Sequence, residues 1–183
     1  MSELDFKRMK REEGSTVQKH LYVTYGSACQ CDCSFCRNHC FEKEKMKDSD
    51  QLNKALIESE DYFRNITFGG GEPLIYIDEI MDVIHEIIYK EEQEKGIDEW
   101  EDELNFTLVT NGYRRLFLKK IGNRCPYCKK FRQIILSRHH YDDQKNEEIF
   151  RTKKRLLDTE DLEDLCEGIK RKMLLSCLCQ RGG

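Results

Sequence analysis

The sequence predicts an α/β fold of consecutive βα units, arranged as an open, incomplete (β/α) barrel or as a doubly wound sheet. Three observations predict it. Short apolar, β-prone runs alternate with longer segments of helical character. The 183 residues hold about five such units, whereas a closed eight-unit barrel takes ~250 residues. Only two prolines occur, Pro73 and Pro126, and no low-complexity linker divides the chain, so glycine supplies most of the punctuation of a single domain.

Residues 1–17 form a charged, polar segment, and the folded core is expected over 18–183. Its strand candidates are HLYVTY (20–25), NITFG (65–69), NFTLVT (105–110), QIILS (133–137) and KMLLSCLC (172–179). Helix candidates fall at about 48–64, 78–95, 113–121, 142–155 and 159–171, several opened by Asp or Thr at a capping position. In the second of these, Ile80, Met81, Ile84, Ile87 and Ile88 recur at helical spacing, which makes His85 a helix-surface or packing residue. The stretch 91–104 is strongly acidic and reads as a solvated helix end and loop, with Trp100 as its anchor.

Ten cysteines in a secreted chain of this size would read as a disulfide framework, but the amino terminus has no apolar signal region. A cytoplasmic setting is expected instead, where clustered cysteines serve metal or redox chemistry. No apolar run approaches the ~20 residues of a membrane helix. With 31 Lys+Arg against 35 Asp+Glu the net charge is −4, which argues against nucleic acid as the primary partner, and the basic run RTKKR (151–155) reads as a solvated face.

Five of the ten cysteines lie in SACQCDCSFCRNHC, residues 27–40, directly after the first strand candidate. Cys29, Cys33 and Cys36 have the spacing C-x3-C-x2-C, which lets one loop wrap three thiolates around a face of a 4Fe-4S cube and leave one iron open. A ferredoxin-type run fails because Gln30 stands where its first cysteine would be. A structural zinc site drawing on Cys31, Cys33, Cys36, His39 and Cys40 lacks the separated second ligand pair that such modules usually have.

The cysteine spacing, with aromatic Phe35 just before the third cysteine, resembles the radical SAM (S-adenosylmethionine) superfamily. Two further loops strengthen the resemblance. TFGGGEP (67–73) follows the second strand and is similar to the GGE motif of that superfamily, and TLVTNG (107–112) ends the third as its members often do. The resemblance implies an incomplete barrel in which Cys29, Cys33 and Cys36 bind three irons of a 4Fe-4S cluster and SAM chelates the fourth. It further implies reductive cleavage of SAM to a 5'-deoxyadenosyl radical. Gly70, Gly71, Glu72, Phe35, Asn111, Ser137 and Arg138 are its candidate cofactor-binding residues, and His139 and His140 could face a substrate. Cys31 and Cys40 fall outside the spacing and read as spectators.

The implied partners are a reductant such as flavodoxin or ferredoxin and a peptide or small-metabolite substrate. A glycyl-radical-enzyme activase is the alternative within the class, a zinc-stabilised binding module the alternative outside it, and a catalytically silent fragment that keeps the cluster a third. Relatives have six βα units, so the last unit and any extension are expected to be missing, with a dimer or second subunit closing the barrel. The pair in RCPYCKK, Cys125 and Cys128, matches the glutaredoxin motif locally, but no proline follows Pro126 to supply that fold's cis-proline loop. A free thiol pair, half of an auxiliary metal site and a zinc clip remain open for it.

Overall fold

The computed structural model describes residues 19–34, 36, 49–59, 63, 65–95, 105–120, 131–140 and 142–161. Four parallel strands, β1 (His20–Thr24), β2 (Asn65–Gly69), β3 (Asn105–Thr110) and β4 (Phe131–Leu136), form one sheet in the order β1-β2-β3-β4. The helices are α1 (Ser49–Glu58), α2 (Ile77–Lys95), α3 (Arg114–Lys120) and α4 (Asp143–Phe150), and a short 3-10 turn, Pro73–Tyr76, leads into α2. A doubly wound sheet reverses its strand order at a switch point. Here each strand sits beside its predecessor, which is how a barrel wall grows.

The two faces of the sheet differ chemically. Paired positions in neighbouring strands share a face, so Val23, Phe68, Leu108 and Ile134 form one row across all four strands, and all four are buried. They join Ile80, Ile84, Ile87 and Phe117 in the main core, as the helical spacing predicts, with Phe68 and Phe106 stacked at 6.3 Å. One residue earlier the row is Tyr22, Thr67, Thr107 and Gln133, all polar: Thr67 is buried, Thr107 and Gln133 are half-buried and Tyr22 is 58% exposed. A sheet covered by helices on both faces would be apolar on both. A buried apolar outer face and an inner one that mixes these polar side chains with Val109 and Ile135 suit the wall of an open barrel.

Three of the four described strands match their sequence-based bounds within a residue, and β4 starts two residues early. The fifth strand candidate lies outside the described residues, and the helix candidate at 159–171 is described, as helix, only over 159–161. The helix expected to run to 155 stops at Phe150, because Arg151 turns left-handed (φ 47°, ψ 45°) and its N–H donates to the Glu147 and Glu148 carbonyls. Residues 151–158 then run as a strap over the strand ends: Tyr113 and Leu156 form an antiparallel bridge, and the Leu157 N–H donates to the Gly112 carbonyl at 2.8 Å. Reciprocal bonds between Asp158 and Asp161 open the helical turn after it, and Arg114 holds Asp161 through two hydrogen bonds of 2.5 and 2.7 Å. No described helix is long and apolar enough to cross a membrane.

Candidate functional site

The loops leaving the carboxyl ends of β1, β2 and β3 are tied together by one residue. Glu72 is fully buried. Its Oε1 accepts from the Leu74 N–H at 3.0 Å and the Thr110 hydroxyl at 2.5 Å, and its Oε2 accepts from the Asn111 N–H at 2.9 Å. Its own N–H donates to the Ala28 carbonyl at 2.8 Å, which adds the β1 loop to the knot. Burial pushes the Glu72 carboxyl up to about 7, opposed by the Thr110, Asn111 and Leu74 donors. Thr110 also accepts from the Gly112 N–H at 3.0 Å, and Gly112 has a φ of +75°, so the turn after β3 closes on the same group.

Gly70 and Gly71 let the β2 loop pass under the cysteine loop. The Gly71 N–H donates to the Gly26 carbonyl at 3.2 Å, and a Cβ on Gly71 would lie 2.4 Å from the Ala28 carbonyl oxygen and 2.6 Å from the Ser27 carbonyl carbon. Gly70 has a φ of +108°, and its N–H donates to the Tyr22 hydroxyl oxygen at 3.1 Å.

The cysteine loop is fixed from two sides. From β3, the Asn111 side-chain amide donates to the Cys31 Sγ at 3.2 Å and the Cys29 Sγ at 3.6 Å, while the Gln30 amide donates to Asn111 Oδ1 at 2.6 Å. From the end of α4, the Phe150 carbonyl accepts from the Asp32 N–H at 3.0 Å and the Cys33 thiol at 3.6 Å, and the Thr152 hydroxyl donates to the Gln30 carbonyl at 3.4 Å. Cys31 and Cys33 are buried with Phe150 and Leu156, Cys29 is half-buried against them, and Cys36 is exposed. Side-chain hydrogen bonding with Cys29 and Cys33 holds the Cys31 thiol well above the usual thiol range, and the bond shared with Cys31 lowers Cys33. Among the described residues, no group of three or more His, Cys, Asp and Glu side chains is gathered as a metal centre.

The fourth strand end has a different character. The Ser137 N–H donates to the Thr110 carbonyl at 2.8 Å, which sets it beside the β3 loop. Arg138 is turned toward the strap and α4, with Nη2 at 2.6 Å from Asp143 and Nη1 at 3.4 Å from the Leu157 carbonyl. His139 packs edge-on against Phe150, with ring centroids 5.2 Å apart, and burial lowers its pKa. His140 accepts the Asp142 N–H on its Nδ1, and the buried Asn146 side chain receives the backbone N–H groups of His139 and His140 at 2.9 and 3.3 Å. Asp142 caps α4 by accepting the Lys145 N–H. The structure thus brings Cys29, Glu72 and Asn111 together, places Ser137 beside them, and engages Arg138 elsewhere. Phe35, Cys40, Cys125 and Cys128 lie outside the described residues.

Sequence reading missed Gln30, Asn146 and Thr152 as site-building residues and had Thr110 only as part of the strand-ending motif. Thr110 stands directly before Asn111 in the strand-ending motif, so that motif carried a signal for it. Gln30 and Thr152 carried none, because their partners lie 81 and 122 residues away along the chain.

The chain resembles several solved structures. It aligns with Streptococcus suis SuiB bound to S-adenosylmethionine at 16% identity and a TM-score of 0.60, covering 93% of this chain and 36% of that one. With anSMEcpe bound to AdoMet and the Cp18Cys peptide the identity is 16% and the TM-score 0.54, over 87% of this chain and 43% of that one. The chain therefore spans less than half the length of either protein. No curated protein sequence matches it. The family model of the Radical SAM superfamily matches residues 23–123, more than half of the chain, from within β1 to beyond α3. That segment contains the three cross-bonded motif loops around Glu72, and the chain belongs to the radical SAM superfamily.

Proposed function

We propose that this chain is a radical SAM enzyme, or the amino-terminal core of one, that acts on a peptide or small metabolite. The observation that carries this reading is the joining of the Cys29, Glu72 and Asn111 loops by hydrogen bonds at the carboxyl end of a parallel sheet, where such folds place their chemistry. The donor set fits a 4Fe-4S cluster chemically: Cys29, Cys33 and Cys36 are three soft sulfur ligands on one short loop. When bound, the cluster and SAM supply an electron and a sulfonium whose homolytic cleavage yields the 5'-deoxyadenosyl radical.

The protein's own part is positional. Cys29, Cys33 and Cys36 would hold the irons. Gly70 and Gly71, lacking side chains, leave backbone carbonyls open to the ammonium of SAM, and Glu72 locks that loop against β3 rather than leaving it to mobile solvent-facing contacts. Ser137 stands beside the β3 loop, where a ribose hydroxyl could be received. The polar row of Tyr22, Thr67, Thr107 and Gln133 lines the inner wall and suits a polar substrate. A peptide is the favoured class, supported by the likeness to anSMEcpe, which was solved with a peptide bound. A flavodoxin- or ferredoxin-type protein is the reductant this chemistry calls for.

Anaerobic reconstitution with iron and sulfide, followed by dithionite reduction with SAM, tests the reading. About four irons per chain and release of 5'-deoxyadenosine are expected. Stoichiometric zinc with no iron retained would refute it in favour of a zinc-stabilised module, and a loaded cluster with no 5'-deoxyadenosine would refute catalysis by this chain alone.

A further inference from the structure

An asparagine amide is aimed at the cysteine loop and is itself held in place. Asn111 Oδ1 receives the Gln30 amide at 2.6 Å, which fixes the orientation of the side chain and turns its Nδ2 toward sulfur. That nitrogen lies 3.6 Å from Cys29 Sγ and 3.2 Å from Cys31 Sγ. The backbone of Asn111 is fixed independently, because its N–H is bonded to buried Glu72 at 2.9 Å. The backbone of Gln30 is held in turn, its main-chain carbonyl accepting from the Thr152 hydroxyl of the strap at 3.4 Å. A donor oriented by three separate elements is preorganised, and an N–H directed at a thiolate stabilises the more negative state of whatever metal group that thiolate ligates.

We propose that Asn111, oriented by Gln30, is a positioning residue that donates a hydrogen bond to the Cys29 sulfur and thereby raises the reduction potential of the cluster that Cys29 ligates. This rests on the cluster assignment above and assigns the Asn111 side chain to sulfur rather than to SAM. Gln30 acts through Asn111. Both lie on the SAM-facing loops yet influence the ease of electron entry, not the binding of substrate.

The test is a redox titration of the reconstituted chain, followed by the electron paramagnetic resonance signal of the reduced cluster, for the parent, Asn111→Leu and Gln30→Leu. Leucine removes the donor while keeping the branched outline of Asn111 and its backbone bond to Glu72. The expected result is a lower midpoint for Asn111→Leu, with the reduced-to-oxidised ratio at a fixed poise falling three- to tenfold, tenfold being 59 mV for a one-electron couple. Gln30→Leu should shift in the same direction by less, and it decides the matter where Asn111→Leu does not load iron. Parent midpoints in the loaded variants would overturn the proposal and leave the cluster assignment standing. A parent chain that takes up no iron would overturn both.

Discussion

Glu72 makes the fold's stability depend on pH in a direction opposite to that of most carboxylates. Its carboxyl ionises at about 7 in the folded chain against 4.5 for an unperturbed side chain. A group whose folded pKa is raised binds its proton more tightly when folded, so its contribution is fully present below pH 4.5 and is lost as the pH climbs to about 7. The interval of about 2.5 units, at ~1.4 kcal/mol each, makes the loss ~3 kcal/mol. The residue is entirely buried, so solvent does not discount it. Glu72→Gln removes the titration and keeps the shape, but turns an NH2 toward the Asn111 N–H, a pH-independent cost of ~1–3 kcal/mol. Urea unfolding of parent and variant at matched metal content, from pH 4.5 to 8, reads both quantities. The stability advantage of the parent should shrink by ~3 kcal/mol across that range and level off above pH 8. Parallel curves would show that Glu72 is ionised throughout, its three donors having outweighed its burial.

Other substitutions separate the cysteines and the loops that hold them. Cys29→Ser, Cys33→Ser and Cys36→Ser should each abolish iron uptake in a colorimetric iron assay, whereas Cys31→Ala should keep it. Loss of iron in Cys31→Ala would promote that residue from neighbour to ligand. Gly71→Ala would drive a Cβ to within 2.4 Å of the Ala28 carbonyl oxygen, and backbone cannot swing aside as a side chain can. Overpacking of this kind costs ~1–3 kcal/mol, so its urea midpoint should fall and SAM binding by calorimetry should vanish. Asn146→Ala strips the acceptor from the His139 and His140 N–H groups in a buried setting, with an expected loss of ~1–3 kcal/mol. Near-parent stability in that variant would mean that water replaces the amide.

What could be read from the sequence divides along the distance between partners. Strands announced themselves because runs such as NFTLVT combine β-branched and aromatic residues with a glycine or turn at the end, all of it local. Isoleucines at helical spacing likewise gave α2 and its buried face. Motif loops were legible as strings, and their order along the chain matched the order of the strands. The strand runs alone left open a barrel wall or a doubly wound sheet, because that depends on which strands pair; the motif resemblance pointed to the barrel, and the strand order β1-β2-β3-β4 agrees with it. The row Tyr22, Thr67, Thr107 and Gln133, assembled from four strands, carries no signal in any one stretch of sequence. The early end of α4 was hidden for a similar reason, since Arg151 adopts a conformation that non-glycine residues avoid. That turn sends residues 151–158 back across the loops, where Thr152 meets Gln30 and Leu157 meets Gly112.

The same division explains why the motif strings point to Glu72 and Asn111 but not to the contacts they make. Each belongs to a recognisable motif, but the motif string does not say that the Glu72 carboxylate receives Thr110 and Asn111 from a strand 38 residues away. Nor does it say that the Asn111 amide reaches back 82 residues to Cys29. In a parallel sheet every strand ends at the same edge, so residues remote in sequence converge there without any local signal. A single buried residue, through its carboxylate and its backbone N–H, can therefore hold three loops in register. Any group carried by one of them, a sulfur or a backbone carbonyl, takes its position from all three.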